Sequence, residues 1–123
     1  MLKLMIVDDS NIIRNKITRA HNQSKFQLVA TATNGMEAVE QFKQTQPDVV
    51  TMDLTMPEMD GIECITQLIE LNPDVAILVV SALSDKATGI EALQLGARGF
   101  LLKPFTEQEL ESALEELTEQ VDV

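Results

Sequence analysis

A single cysteine, Cys64, occurs in the 123 residues, so an internal disulfide and a metal site built on thiolates are both excluded. A buried, inert thiol is its expected use. No apolar run approaches the ~20 residues that a bilayer span needs. The opening Met1-Leu2-Lys3-Leu4-Met5-Ile6-Val7 is cut by Asp8-Asp9 before a signal peptide's apolar stretch would be complete. The expectation is a soluble cytoplasmic protein that starts on a strand. Positive charge is scarce, with 9 Lys and Arg against 20 Asp and Glu and a net charge of −11. That field repels phosphate backbones, which argues against nucleic acid as a partner and suits a basic protein face. Part of it lies near the C-terminus, where Glu107, Glu109, Glu111, Glu115, Glu116 and Glu119 alternate with Leu110, Ala113, Leu114, Leu117 and Val121, the pattern of a solvated helix face. Repeats, linkers, a helix-turn-helix and a phosphate-binding Gly-rich loop are all lacking, so one domain over residues 1–123 is expected and a nucleotide donor is not.

What the chain does have is short apolar runs that end on chemistry. Leu2 to Val7 precedes Asp8-Asp9, Val49 to Met52 precedes Asp53, Val75 to Val80 precedes Ser81, and Gly99 to Leu102 precedes Lys103. Each is nearly continuous, as in a strand covered on both faces. Helical spacing separates them, predicting β-α repeated five times and a doubly wound parallel α/β sheet. Ligands of such sheets bind beyond the carboxyl ends of the strands, where strand order reverses. Those ends carry Asp8, Asp9, Asp53, Ser81 and Lys103.

Between the runs, a first helix is predicted from Ser10, with Ile12, Ile13 and Ile17 inward, ending between His21 and Ser24, with His21 on the surface. A second strand spans Phe26 to Thr33. Asn34 and Glu37 have the spacing of a helix start, and Ala38, Val39 and Phe42 then face the sheet. Pro47 ends that helical region and Asp48 opens the third strand. Ile62, Ile65, Leu68 and Ile69 define a third helix, stopped by Asn72-Pro73-Asp74. Ser84-Asp85 starts a fourth that carries Ile90 and Leu93, with Gly96 as its left-handed C-terminal residue. Thr106 and Glu109 form a capping box for the fifth.

Carboxylates crowded at neighbouring strand ends repel each other unless a cation sits among them. All-oxygen ligands suit Mg²⁺, which keeps several waters and often completes its shell with phosphate oxygen. A carboxylate can also attack phosphorus and form an acyl phosphate; Asp53, alone on the middle strand, is the candidate nucleophile. Lys103 adds a point charge for a phosphoryl oxygen, and Ser81 adds a hydroxyl. A cis Lys103-Pro104 bond could aim the lysine inward.

In Val7-Asp8-Asp9-Ser10, Asp53-Leu54-Thr55-Met56-Pro57-Glu58-Met59-Asp60-Gly61, Ser81-Ala82 and Lys103-Pro104-Phe105, the chain resembles the receiver domains of two-component response regulators, of the single-domain CheY-like kind. The resemblance runs from Leu4 to about Leu117. It implies the flavodoxin-like strand order 2-1-3-4-5 and Asp53 as phosphoacceptor from a sensor histidine kinase or phosphotransfer protein. It implies Asp9, Asp53 and the Thr55 backbone carbonyl as Mg²⁺ ligands, with Asp8 acting mainly through water. Ser81 and Lys103 would contact the phosphoryl group. Ser81 and Phe100 would be the switch pair, although phenylalanine offers no hydroxyl to a partner. Thr55 and Leu83, two residues beyond acceptor and switch serine, are poor at orienting water, so slow autodephosphorylation is expected. The implied output is a face of the fourth helix, fifth strand and fifth helix, with a flagellar motor component, a kinase or another regulator among its targets, and a monomer or weak phospho-dependent dimer as the active form. The alternatives are a phosphorelay intermediate or phosphate sink, a fragment of a longer transcription regulator, and a phosphatase of the haloacid dehalogenase type. The phosphatase would need an aspartate where Thr55 stands.

Overall fold

The computed structural model describes residues 1–54, 59–82 and 86–119. Strand and helix alternate as β1 (Leu2–Val7), α1 (Asn11–Ala20), β2 (Phe26–Ala32), α2 (Gly35–Thr45), β3 (Val49–Met52), α3 (Gly61–Leu71), β4 (Ala76–Ala82), α4 (Lys86–Leu95), β5 (Gly99–Lys103) and α5 (Glu107–Thr118). All pairings are parallel, in the order β2-β1-β3-β4-β5. The chain winds outward from β1 to β2 and then returns to β3 on the other side of β1. That reversal puts the crevice at the carboxyl ends of β1 and β3.

Side chains alternate across the strands, and both faces are covered. Met5, Val7, Val50, Met52, Ile77 and Val79 pack with Ala38, Phe42, Ile65, Leu68 and Ala92 of α2, α3 and α4. Leu4, Ile6, Val49, Leu78 and Val80 pack with Ile17 of α1 and Leu110, Leu114 and Leu117 of α5. Burial on two sides explains why these strands read as continuous apolar runs.

The helix starts are local in origin. The Ser10 hydroxyl accepts from the Ile13 N–H at 3.3 Å, and the Asn34 side chain from the Glu37 N–H at 2.8 Å. Thr106 and Glu109 close a reciprocal capping box at 2.9 and 3.0 Å. The Thr106 N–H and then its hydroxyl, with help from Lys16, hold the Glu109 carboxyl below the usual carboxylate range. Gly96 follows α4 with φ of +124°, the positive-φ stop expected of it.

Several expectations are corrected. Ile12 is 79% exposed. The inward stripe of α1 runs through Ile13, Ile17 and Ala20, and Ile12 leads it by one helical step of about 100°. His21 is buried, because it caps α1 with its N–H on the Ile17 carbonyl at 3.1 Å and its Nδ1 3.2 Å from the same oxygen. Ser81 lies within β4 rather than after it. α4 carries Ile90 and Leu93 as expected, both of them exposed, and it buries Gly89 and Ala92, so its small residues face the sheet. The Ser84-Asp85 helix start and Val121 lie outside the described residues.

Cys64 is buried, its thiol 3.7 Å from the Gly35 carbonyl. Burial first, then Glu63 and Asp60, pushes its pKa from 9.0 up to about 12. A raised folded-state value means that the folded chain keeps a proton the unfolded chain releases. The associated stability, at most about 4 kcal/mol, is complete below pH 9.0 and lost as pH rises toward 12. Melting curves across that window should fall more steeply for the parent than for Cys64→Ala; equal slopes would refute the assignment.

Candidate functional site

Asp8 and Asp53 are each fixed by an extension of the sheet. The Asp8 N–H donates to the Ala32 carbonyl at 3.0 Å and the Asp53 N–H to the Val7 carbonyl at 2.9 Å, so the parallel ladders continue one residue beyond β1 and β3. Both carboxylates are thereby held at the switch point, and both are buried, Asp8 at 1% and Asp53 at 4% exposure. Asp9 is exposed on the rim. Ser81 is fully buried and pairs in register with Leu102, one step before Ala82 pairs with Lys103. β4 and β5 therefore deliver the hydroxyl and the ammonium at neighbouring levels.

Lys103 Nζ lies 3.0 Å from Asp8 Oδ2 and 3.6 Å from Asp53 Oδ1. One cation thus answers two buried carboxylates that would otherwise repel. The Lys103-Pro104 bond is cis. Asp8 Oδ1 accepts from the Ser10 N–H at 2.8 Å, which aims the carboxylate across the crevice. Its other oxygen, Oδ2, is buried and, among the described residues, has no hydrogen-bond partner beside the ion pair with Lys103.

Asp8, Asp9 and Asp53 can each offer a carboxylate oxygen, all within 4.8 Å of one another. A hard-oxygen set of that size, with one buried oxygen lacking a hydrogen bond, fits a divalent cation such as Mg²⁺. Among the described residues, neither the single histidine nor the single cysteine joins this set. Thr55, whose carbonyl was assigned to the same metal, lies outside the described residues.

Two supporting residues escaped the sequence reading. Arg14 donates to the Asp8 carbonyl at 2.7 Å, bracing the end of β1 from α1. Lys16 donates to the Phe105 carbonyl and lies 4.6 Å from the centre of the Phe105 ring, tying α1 to the segment just after Lys103. An arginine six residues beyond Asp8 carries no local signature of that role, and Lys16 meets a residue 89 positions away. Phe100 sits on β5 in register with Val79, half-buried against the core on the α4 side.

The family model for the response regulator receiver domain matches residues 4–115. Over 115 residues the chain is 41% identical to the chemotaxis protein CheY of Listeria monocytogenes, covering 94% of this chain and 97% of that one. It is 39% identical over 116 residues to the chemotaxis protein CheY of Thermotoga maritima, with the same coverage. Among solved structures, the REC domain of AraT, a response regulator from Geobacillus stearothermophilus, superposes with a TM-score of 0.92 at 30% identity, covering 98% of this chain and 95% of that one. A chain of the CheX-CheY-BeF3-Mg complex from Borrelia burgdorferi gives 0.86 at 30% identity, over 99% and 90%. A parallel sheet with its carboxylates and lysine gathered at the switch point, and relatives matched over nearly their whole length, lead to one conclusion: the chain belongs to the response regulator receiver domains.

Proposed function

We propose that this receiver takes a phosphoryl group on Asp53 from a phosphohistidine of a sensor kinase or phosphotransfer protein, and so switches a protein-binding face. The observation that carries this reading is the Lys103 ammonium held between the buried carboxylates of Asp8 and Asp53. An Asp53 oxygen attacks phosphorus; the bond to the donor nitrogen breaks, and the departing imidazole keeps the electron pair. Lys103 then turns from Asp53 to a phosphoryl oxygen, and the Ser81 hydroxyl donates to another, both replacing water with fixed charge and dipole. Asp9, Asp53 and the Thr55 carbonyl would hold Mg²⁺, with Asp8 orienting its water. When bound, the ion would neutralise charge on the transferring oxygens.

Intact mass after incubation with Mg²⁺ and acetyl phosphate tests the acceptor. The parent should gain one phosphoryl group and Asp53→Ala none; gain by both would move the acceptor elsewhere. Followed after donor removal, the same signal should decay over minutes or longer. That expectation rests on Thr55 and Leu83, which lie outside the described residues, and decay within seconds would overturn it.

Exposed Ile12 stands on the first turn of α1, three residues from Asp9, and offers an apolar contact to a protein donor at the mouth of the site. Ile12→Glu should slow transfer from any phosphohistidine kinase that serves the parent by tenfold or more, in line with the loss of about 1.4 kcal/mol of docking. Acetyl phosphate, too small to reach Ile12, should react unchanged. Equal rates with both donors would remove Ile12 from the docking surface.

The output face is α4, β5 and α5. Ile90, Leu93 and Leu102 are exposed there, beside the acidic outer surface of α5, which suits an apolar segment flanked by basic residues. Phosphorylation acts by shifting the population of the Ser81 and Phe100 poses. Chemotaxis is the pathway suggested by the CheY relatives, and a cytoplasmic location suits exchange with a kinase. Among the described residues no helix is long and apolar enough to cross a membrane.

A further inference from the structure

Phe100 occupies a space that its neighbour on α4 would normally fill. A Cβ built on Gly89 would fall 2.0 Å from Cε2, 2.7 Å from Cδ2 and 2.9 Å from Cζ of the Phe100 ring. All three atoms belong to the ring and none to the backbone. Gly89 is buried in the first turns of α4, and its φ is not positive, so backbone geometry does not require glycine there. In a helix interior glycine is disfavoured relative to alanine. What the missing side chain provides at this position is room for the ring. Phenylalanine has no hydroxyl with which to find a polar anchor, so packing alone sets where the ring rests.

We infer that Gly89 is a socket that decides the resting pose of Phe100: the ring sits under α4 before any phosphoryl group arrives, and a side chain at position 89 would turn it out toward solvent. Because Phe100 pairs with Val79, two residues before Ser81 on the adjacent strand, the socket sets the starting pose of the element that Ser81 acts upon. This inference concerns the unphosphorylated chain and stands apart from the identity of the acceptor.

Thermal melts in two backgrounds test it. In the parent, Gly89→Ala should lower Tm, since the ring must leave its socket. In a Phe100→Ala background, the same substitution should raise Tm, since helix propensity is gained with no ring to displace. A change of the same sign in both backgrounds would overturn the proposal. The ring itself can be followed by labelling all 4 phenylalanines with fluorine and assigning the Phe100 signal by its loss in Phe100→Leu. A soluble paramagnetic agent should relax that signal at least threefold faster in Gly89→Ala than in the unphosphorylated parent. The signals of Phe26, Phe42 and Phe105, all buried, should stay unchanged. Equal relaxation of the Phe100 signal in the two proteins would sink the idea.

Discussion

Replacing Lys103 with methionine is expected to slow phosphoryl acceptance from acetyl phosphate about 10²-fold, the usual loss when one fixed charge aimed at a transition state is removed. The same change should destabilise the metal-free protein. Asp8 and Asp53 are buried, and the ammonium at 3.0 and 3.6 Å offsets their mutual repulsion. Deleting one partner of a buried charge cluster costs about 3 kcal/mol or more, on the order of a 10 °C drop in Tm for a domain of this size. Methionine keeps the apolar stem, so the loss is of charge rather than of packing. Lys103 also competes with a divalent cation for the same carboxylates, so the variant should bind Mg²⁺ more tightly than the parent while accepting phosphoryl groups more slowly. Calorimetric Mg²⁺ titration, melts in EDTA and in Mg²⁺, and phosphorylation rates together check this. If Mg²⁺ affinity and rate fell in parallel, the lysine would be supporting the metal site rather than the phosphoryl group.

Gly61→Ala is the second change with a large expected effect, and its cause lies in the backbone. Gly61 is the first residue of α3, directly after its cap Asp60, and its N–H donates to the Leu54 carbonyl at 3.1 Å. A Cβ there would lie 2.6 Å from Leu54 Cα and 2.8 Å from the Asp53 carbonyl oxygen. Neither atom can swing aside like a side-chain tip, so α3 or the end of β3 must move. Such overpacking costs about 1–3 kcal/mol. The segment that moves carries Asp53. A displacement near 1 Å at a reacting group can lower a rate about 10²-fold, so acceptance from acetyl phosphate should fall by that order in a variant that still folds. Melting and phosphorylation assays would show it, and parent-like rates would mean that α3 yields and leaves Asp53 in place.

The legible part of this protein follows from periodicity and local chemistry. Buried parallel strands are apolar on both sides, so β1, β3, β4 and β5 stood out as runs, and each led to a site residue at its carboxyl end. Caps are hydrogen bonds over three residues, so Ser10, Asn34 and Thr106 could be placed without a fold. Ile12 shows where this stops. A helix with three isoleucines in its first turns admits more than one inward stripe, and only the sheet beneath α1 selects the one through Ile13 and Ile17. His21 was misplaced for a related reason: its burial comes from folding back on the Ile17 carbonyl at the end of α1, a detail of chain direction and not of composition.

By itself, then, the order of residues determined the alternation of strands and helices, the acidic and lysine-bearing strand ends, and through their combined motif the family. Those features depend on near neighbours in the chain, whose spacing is set by the helix and strand repeats. Tertiary structure alone decided that Lys103 lies between Asp8 and Asp53, that Arg14 and Lys16 brace the ends of β1 and β5, that Gly61 leaves space for the Asp53 backbone, and that Gly89 makes room for Phe100. Each joins groups of different elements, six residues apart for Arg14 and Asp8 and 89 apart for Lys16 and Phe105, that neither helix nor strand spacing brings together. Dense packing fixes the distances between such groups, and they exist only once the sheet has brought its strands into register.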